Sequence, residues 1–135
     1  MDFGGINYWA VLAAAVAAFI VGGAYYGALS KPWMRAAGIA EQDARFGPAL
    51  FAVTFAGLLV MAFVLAGLIG HLGAGQVTLR NGVISGLFVW AGFMATTMTI
   101  NHRYQNNGWD LTLIDGLHWL LVAVVMGAVI GLIGV

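Results

Sequence analysis

Four long stretches of this chain carry no charged side chain, and that pattern limits the fold more than any other feature. The stretches cover residues 3–30, 46–79, 81–101 and 116–135 of the 135-residue sequence. A helix needs about 20 apolar residues to cross the hydrocarbon core of a bilayer, so each stretch is long enough for one span. The second stretch ends in a glycine-rich segment that is typical of a loop. The sequence therefore predicts an all-α integral membrane bundle of four transmembrane helices, in a single domain over residues 1–135.

The local sequence predicts where these helices begin and end. The expected spans are about residues 7–29, 48–72, 82–101 and 113–133. Pro48 suits the first turn of a helix, where its missing N–H has no intrahelical partner. Asn81 can cap the third helix. The residues Thr112-Leu113-Ile114-Asp115 have the form of a capping box, which predicts the start of the fourth helix.

The composition excludes several classes of protein. Only 7% of the residues are charged and 62% are hydrophobic, and five basic residues balance five acidic ones. A soluble domain carries about 25% charged residues, so this is neither an ordinary cytosolic enzyme nor a disordered chain. Binding to nucleic acid needs a basic face, which the chain lacks. There is no cysteine, so disulfides and thiolate metal sites are excluded as well.

The distribution of Lys and Arg predicts an orientation in the membrane. Four of the five basic residues lie in the two loops expected on one side: Lys31, Arg35, Arg45 and Arg103. Arg80 is alone on the opposite side. Cytoplasmic loops carry an excess of basic residues. We therefore expect a multi-pass protein of the bacterial inner (cytoplasmic) membrane, with loops 30–47 and 102–112 in the cytoplasm and both termini outside.

Aromatic residues mark the expected membrane boundaries. Tyr25, Tyr26, Trp33 and Trp109 lie near span ends, a position typical of interface anchors. Residues 32–37 allow a short helix in the interface plane, with Ser30 as its possible cap, and an irregular loop is the alternative.

Small residues predict where the helices touch. Lipid provides no hydrophobic drive between helices, so their association depends on close packing and interhelical hydrogen bonds. The fourth helix carries a stripe of small residues at helical spacing: Gly116, Ala123, Gly127, Gly131 and Gly134. The first helix carries another: Ala10, Ala14, Ala17, Ala24 and Ala28. We interpret the stripe of the fourth helix as a packing seam, either inside the bundle or between two copies. The alternative is that it arises by chance, because Gly and Ala are common in membrane helices.

A few polar residues near one membrane face are the candidates for chemistry. Asp115 and His118 are three residues apart and share a helix face, and the third helix ends in Asn101, His102 and Arg103. Ionisable groups in or near spans are functional candidates by default. Together these five residues predict a polar or ion site that can hold a proton, an ion or a head group. The alternative is that Asp115 only completes the capping box near head-group depth.

Cofactor and catalytic signatures are weak or absent. His102 and His118 lie on the same side and allow a haem held between helices. Because His102 lies at a helix end, we predict neither a cofactor nor a metal. Zinc-protease, serine-hydrolase and phosphate-loop motifs do not occur, so we also predict that the chain is not an enzyme.

The first helix also carries a family resemblance. Residues 7–27 read NYWAVLAAAVAAFIVGGAYYG and are followed by Trp33 and Met34. This pattern, with residues 90–93 in the third helix, resembles the bacterial domain-of-unknown-function family 1761, whose members look like small four-helix membrane proteins. Tyr25 stands where many members have Trp. The resemblance implies a fold class and a membrane location, but it implies no activity and transfers no catalytic residue.

These observations lead to two functional hypotheses. The first is a small inner-membrane protein without catalytic chemistry that acts through helix contacts. Its partners would be the lipid bilayer and either another copy, as a homo-oligomer, or a larger membrane complex to which it is an accessory subunit. The alternative is a small transporter or channel whose polar mouth contains Asp115 and His118, with Asn101 and the hydroxyl groups of residues 96–99.

Overall fold

The computed structural model describes residues 5–73 and 75–135, and in this part of the chain all regular structure is helical. Six α-helices follow in order: α1 Tyr8–Ala28, α2 Ser30–Ala37, α3 Pro48–Gly70, α4 Leu79–Val89, α5 Thr96–Tyr104 and α6 Trp109–Ile133. A 3-10 turn covers Glu41–Asp43, and a π-helical segment, Trp90–Ala95, joins α4 to α5. Four helices are long and apolar enough to cross a membrane: Tyr8–Ala28, Pro48–Gly70, the continuous Leu79–Tyr104 and Trp109–Ile133. The predicted all-α bundle with four potential transmembrane helices is confirmed.

Helix α6 is the centre of the bundle. It packs against α1 on one side and α4 on another, while α3 packs mainly on α1. The core is built from residues of α1, α3 and α6: Val11, Ala14, Ala15, Ala18, Leu58, Ala62, Leu65, Ala66, Ile69, Val122, Met126 and Ile130. In the most apolar window of each span, 44% of α6 is buried but only 6% of Leu79–Tyr104. The third span is therefore attached to the rest of the chain along one narrow face.

That narrow face is a contact between the backbones of α4 and α6. Gly82 lies against Gly127, and Gly86 lies against Ala123. The two contacts are four residues apart on each helix, and the helices run in opposite directions. The next step of four brings the backbone of Thr78 against Gly131. A Cβ atom on any of the four glycines would overlap with the facing carbonyl group. Small residues at these positions therefore permit an approach that no larger side chain allows.

The small-residue stripe of α6 is thus placed inside the chain's own bundle, at Ala123, Gly127 and Gly131. Gly116 is also buried and lies against Met98 of the third span. Gly134 does not belong to the seam, because it follows the last turn of α6 in a left-handed conformation with nothing within 4 Å of a built Cβ atom.

The stripe predicted on α1 is rotated from the face that the helix buries. The buried small residues are Ala10, Ala14, Ala15, Ala18 and Gly22. By contrast, Ala17 is only partly buried, and Ala24 and Ala28 are exposed. At 100° per residue, the observed face lies about 80° around the helix from the predicted one. The physical reason is that hydrogen bonds from Tyr25 and Tyr26 to α6 orient the end of α1. A pattern of small residues gives no sign of these bonds.

Three of the proposed helix caps are also replaced. Ser30 is the first residue of α2, whose N-cap position is Leu29. Thr78 caps α4 by accepting a hydrogen bond from Asn81 N at 3.2 Å, so Asn81 lies inside the helix. Helix α6 begins at Trp109 after Gly108, which places Asp115 nearly two turns inside the helix rather than in a capping box. Asp115 is therefore free of any capping role, and its environment needs another explanation. Pro48 does occupy the first turn of α3.

We predict that the glycine seam controls stability. Gly127→Ala places a methyl group against the backbone of Gly82, which cannot move aside without separating α4 from α6. The expected cost is about 1–3 kcal/mol, typical of overpacking. It would be measured as a lower unfolding midpoint in detergent.

Gly57→Ala is the matched control. Gly57 lies in α3, is exposed, and has nothing within 4 Å of its built Cβ atom. This change is expected to be neutral or slightly stabilising, because Ala favours a helix over Gly by about 1 kcal/mol. Equal midpoints for the two variants would contradict the seam.

Candidate functional site

Polar side chains from four helices meet at one end of the bundle, where α1 ends and α6 begins. We call this group the polar cluster. Its members are Tyr25 and Tyr26 of α1, Trp33 of α2, His102 and Arg103 of α5, and Thr112, Asp115 and His118 of α6. The same end carries both basic loops, because α1 and α5 run towards it and α3 and α6 start from it.

Asp115 is the centre of the polar cluster. One carboxylate oxygen, Oδ1, accepts hydrogen bonds from the Tyr26 hydroxyl at 2.7 Å and from Trp33 Nε1 at 3.1 Å. The other, Oδ2, lies 3.7 Å from His102 Nε2. Hydrogen bonds to an ionised acceptor are roughly twice as strong as neutral ones. A single carboxylate in α6 therefore joins the ends of α1, α2 and α5.

Thr112 forms a second junction one turn earlier in α6. Its hydroxyl lies 3.0 Å from His102 Nδ1 and accepts a hydrogen bond from Arg103 Nη2 at 2.8 Å. The same nitrogen donates to the carbonyl of Gly108 at 2.9 Å. The guanidinium carbon of Arg103 lies 3.9 Å from the ring centre of Trp109, a cation–π contact. The short connection between α5 and α6 is thus fixed from both sides.

The π-helical segment helps to direct α5 towards this junction. A straight α-helix turns by about 200° over the 20 residues from Gly82 to His102, which would point His102 away from α6. The wider turns of a π segment rotate less per residue, so the row facing α6 continues along the span. Accordingly, Trp90 donates from Nε1 to the carbonyl of Gly116 at 2.9 Å, and Met98 packs on the same glycine.

His118 is the deepest polar side chain of the cluster and is only 7% exposed. Its ring lies over the ring of Tyr26, with centroids 4.3 Å apart, and edge-on to Trp119. A Cβ atom at Gly22 would lie 2.7 Å from His118 Nε2, so the ring fits only because that position of α1 is glycine. His118 Nδ1 is buried without a hydrogen-bond partner. Such atoms are uncommon in native proteins and call for an explanation.

The structure brings together four of the five residues predicted for the polar site. Asp115 and His102 face each other, Arg103 joins them through Thr112, and His118 lies one turn deeper. Asn101 does not take part: its side chain is exposed and makes no hydrogen bond within the described residues. It points away because its neighbour His102 turns towards α6.

The hydroxyl group of Thr96, expected from the sequence to deepen the site, is not directed into it. Thr96 is exposed and bonds to the carbonyl of Gly92 in its own span at 2.8 Å. Both ring nitrogens of His102 already face partners, which disfavours it as an iron ligand. Among residues 5–73 and 75–135, no group of three acidic or histidine side chains could hold a metal ion.

Three of the four aromatic residues predicted as interface anchors also donate hydrogen bonds between helices. Tyr25 donates to the carbonyl of Ile114 at 2.7 Å, and Tyr26 and Trp33 donate to Asp115. Trp109 is the most exposed of the four, at 60%. Their role as donors was missed at the level of sequence. The available signal was chemical: an acid inside an apolar helix needs donors, and few other residues at that depth have an N–H or O–H group.

Comparison with known proteins gives a family without an assigned activity. The family model described as "Protein of unknown function (DUF1761)" matches residues 9–131. Neither the curated proteins nor the solved structures include a match to the chain. The matched region contains every member of the polar cluster and all four apolar helices except the first residue of α1 and the last two of α6, so the chain belongs to the DUF1761 family.

Proposed function

We propose that this chain is a small membrane protein without catalytic chemistry that acts through contacts with other proteins in the bilayer. The partner is a second copy, in a homo-oligomer, or a larger complex to which the chain is an accessory subunit. The observation that carries this proposal is the use of the polar cluster. Its hydrogen bonds connect the chain's own helices and leave few polar groups for a substrate.

The interior beyond the polar cluster also favours assembly over transport. Thr112 and His118 are the buried polar side chains in the described part of the chain, and both lie near the start of α6. Towards the other end of α6, the largest buried side chains are Val122, Met126 and Ile130. Pathways for ions are lined by polar or charged groups. Within residues 5–73 and 75–135, a single copy offers no such lining across the bundle.

The outer face of α1 offers a surface for a partner helix. Gly23 and Gly27 are exposed, have nothing within 4 Å of a built Cβ atom, and have the spacing of a GxxxG pair. Ala24 and Ala28 are exposed beside them. Small residues at this spacing allow two transmembrane helices to approach closely. Ala24 and Ala28, the residues of the predicted α1 stripe that are exposed, therefore support contact with another chain.

We predict that gentle extraction followed by native mass spectrometry will detect the chain with a second copy or with another membrane protein. Gly23→Val with Gly27→Val is expected to reduce the associated fraction without lowering the unfolding midpoint, because neither glycine touches the rest of the chain. Gly57→Val, at an exposed glycine of α3, is the control. A wild-type chain that is always extracted alone would contradict the proposal.

A small transporter or channel is the second candidate, and His118 is the observation in its favour. A buried histidine nitrogen without a partner, one turn from the Asp115–His102 pair, is a possible station for a proton or an ion. Asp115→Asn tests this directly in proteoliposomes. Flux that depends on Asp115 would favour transport. An absence of flux in both forms, with a lower unfolding midpoint for the variant, would favour a structural role.

We predict that the tyrosines of the polar cluster differ in their contribution to stability. Tyr26→Phe removes a hydrogen bond to a carboxylate and is expected to cost about 1.5–3 kcal/mol, whereas Tyr25→Phe removes one to a neutral carbonyl and costs about 1 kcal/mol. Tyr8→Phe is the control, since Tyr8 is 64% exposed. Chemical unfolding of the three variants in one detergent gives the order. Equal stability of all three would show that the cluster does not hold the helices together.

We also propose that the chain is inserted in a bacterial inner membrane with the polar cluster on the cytoplasmic side. This is supported by the basic residues, of which four lie at the end of the bundle that carries the cluster and Arg80 lies at the other. Reporter fusions after Val135 are expected to be active only with a reporter that works outside the cytoplasm. Activity of a cytoplasmic reporter there would reverse the orientation.

A further inference from the structure

Helix α2 and the turn after it form a recess beside the polar cluster. Five side chains line this recess, which has a volume of about 380 Å³: Lys31, Met34, Arg35, Ile39 and Glu41. The apolar span α1 ends at Ala28, and α2 begins two residues later. The recess therefore lies at the boundary where an apolar span meets the head-group region.

The shape of the recess is fixed by two features of α2. On one side of the helix, Trp33 donates to Asp115, which holds α2 against the bundle. Lys31 and Arg35 precede and follow Trp33 by two residues, so they project from the opposite side. The helix then ends at Gly38 in a left-handed conformation, with Gly38 N bonded to the Arg35 carbonyl and Ile39 N to the Met34 carbonyl. This C-terminal cap directs Ile39 back towards Met34.

The three charged groups of the recess are not used within the chain. Lys31, Arg35 and Glu41 are exposed, and their side chains make no ion pair or hydrogen bond within residues 5–73 and 75–135. Two cations and one carboxylate thus surround an apolar floor of Met34 and Ile39. A ligand that matches this arrangement carries an anionic group, a cationic group and an apolar part.

We propose that the recess binds a phospholipid whose head group contains both a phosphate and a primary amine. Lys31 and Arg35 bind the phosphate, Glu41 binds the ammonium group, and Met34 and Ile39 contact the glycerol and the first acyl carbons. A purely anionic head group would leave Glu41 facing negative charge. A quaternary ammonium head group could not donate hydrogen bonds to that carboxylate. The lipid of matching chemistry is therefore of the phosphatidylethanolamine type.

The test uses the full chain in nanodiscs of phosphatidylcholine that contain either phosphatidylethanolamine or phosphatidylglycerol. Lipid retained after release is counted by native mass spectrometry. The wild-type chain is expected to retain phosphatidylethanolamine in preference to both other lipids. Lys31→Gln and Arg35→Gln should each lower this retention on the order of fivefold, which corresponds to one basic residue at a membrane surface. Glu41→Gln should abolish the preference for phosphatidylethanolamine over phosphatidylglycerol.

Two matched controls separate the recess from general surface charge. Arg80→Gln removes a basic residue at the other end of the bundle, and Arg45→Gln removes one from the same loop outside the recess. Neither is expected to change the lipid preference. None of these side chains forms a hydrogen bond or an ion pair within residues 5–73 and 75–135. All variants should therefore unfold at the wild-type midpoint. Equal retention of the three lipids, or a preference that survives Lys31→Gln with Arg35→Gln, would overturn the proposal.

Discussion

The carboxylate of Asp115 lies nearly two turns inside an apolar helix, and the arrangement of the neighbouring helices follows from that position. A charged group at such a depth is costly unless donors surround it, and lipid supplies none. The donors must come from other parts of the chain, here Tyr26 and Trp33, with His102 on the other oxygen. Satisfying one acid therefore determines where α1 ends, how α2 lies, and which way α5 faces.

The rest of the bundle packs mainly through apolar contacts, because α6 presents two different apolar faces. Towards α1 it packs side chains such as Val122, Met126 and Ile130 against alanines. Towards α4 it has almost no side chains, and the two backbones touch through Gly82 and Gly127. Dispersion contacts replace hydrophobic burial as the source of association in lipid, so close approach matters more than side-chain size. The third span is held by this seam, by the contacts of Trp90 and Met98 with Gly116, and by the polar cluster.

Much of this fold could be predicted from the distribution of charge, since a span of about 20 apolar residues has few alternatives. The limits of the helices were harder to predict, because the capping-box pattern of residues 112–115 lies inside α6 rather than at its start. The connection from α5 to α6 turns at Asn106, whose φ of 58° is left-handed, and α6 begins directly after Gly108. The residues of the candidate site could be proposed, but their aromatic donors could not. Tyr26 and Asp115 are 89 residues apart, and no local pattern links an aromatic donor to an acid at that distance.

Trp33 connects the two places where this chain can meet other molecules. Its indole N–H is committed to Asp115, while Lys31 and Arg35, two residues before and after it, line the recess. The orientation of α2 thus depends on the same carboxylate that holds α1 and α5. A molecule in the recess and a substitution at Asp115 therefore act on the same short helix. The polar cluster therefore fixes the orientation of α2, whose charged side chains Lys31 and Arg35 lie on the side opposite Trp33.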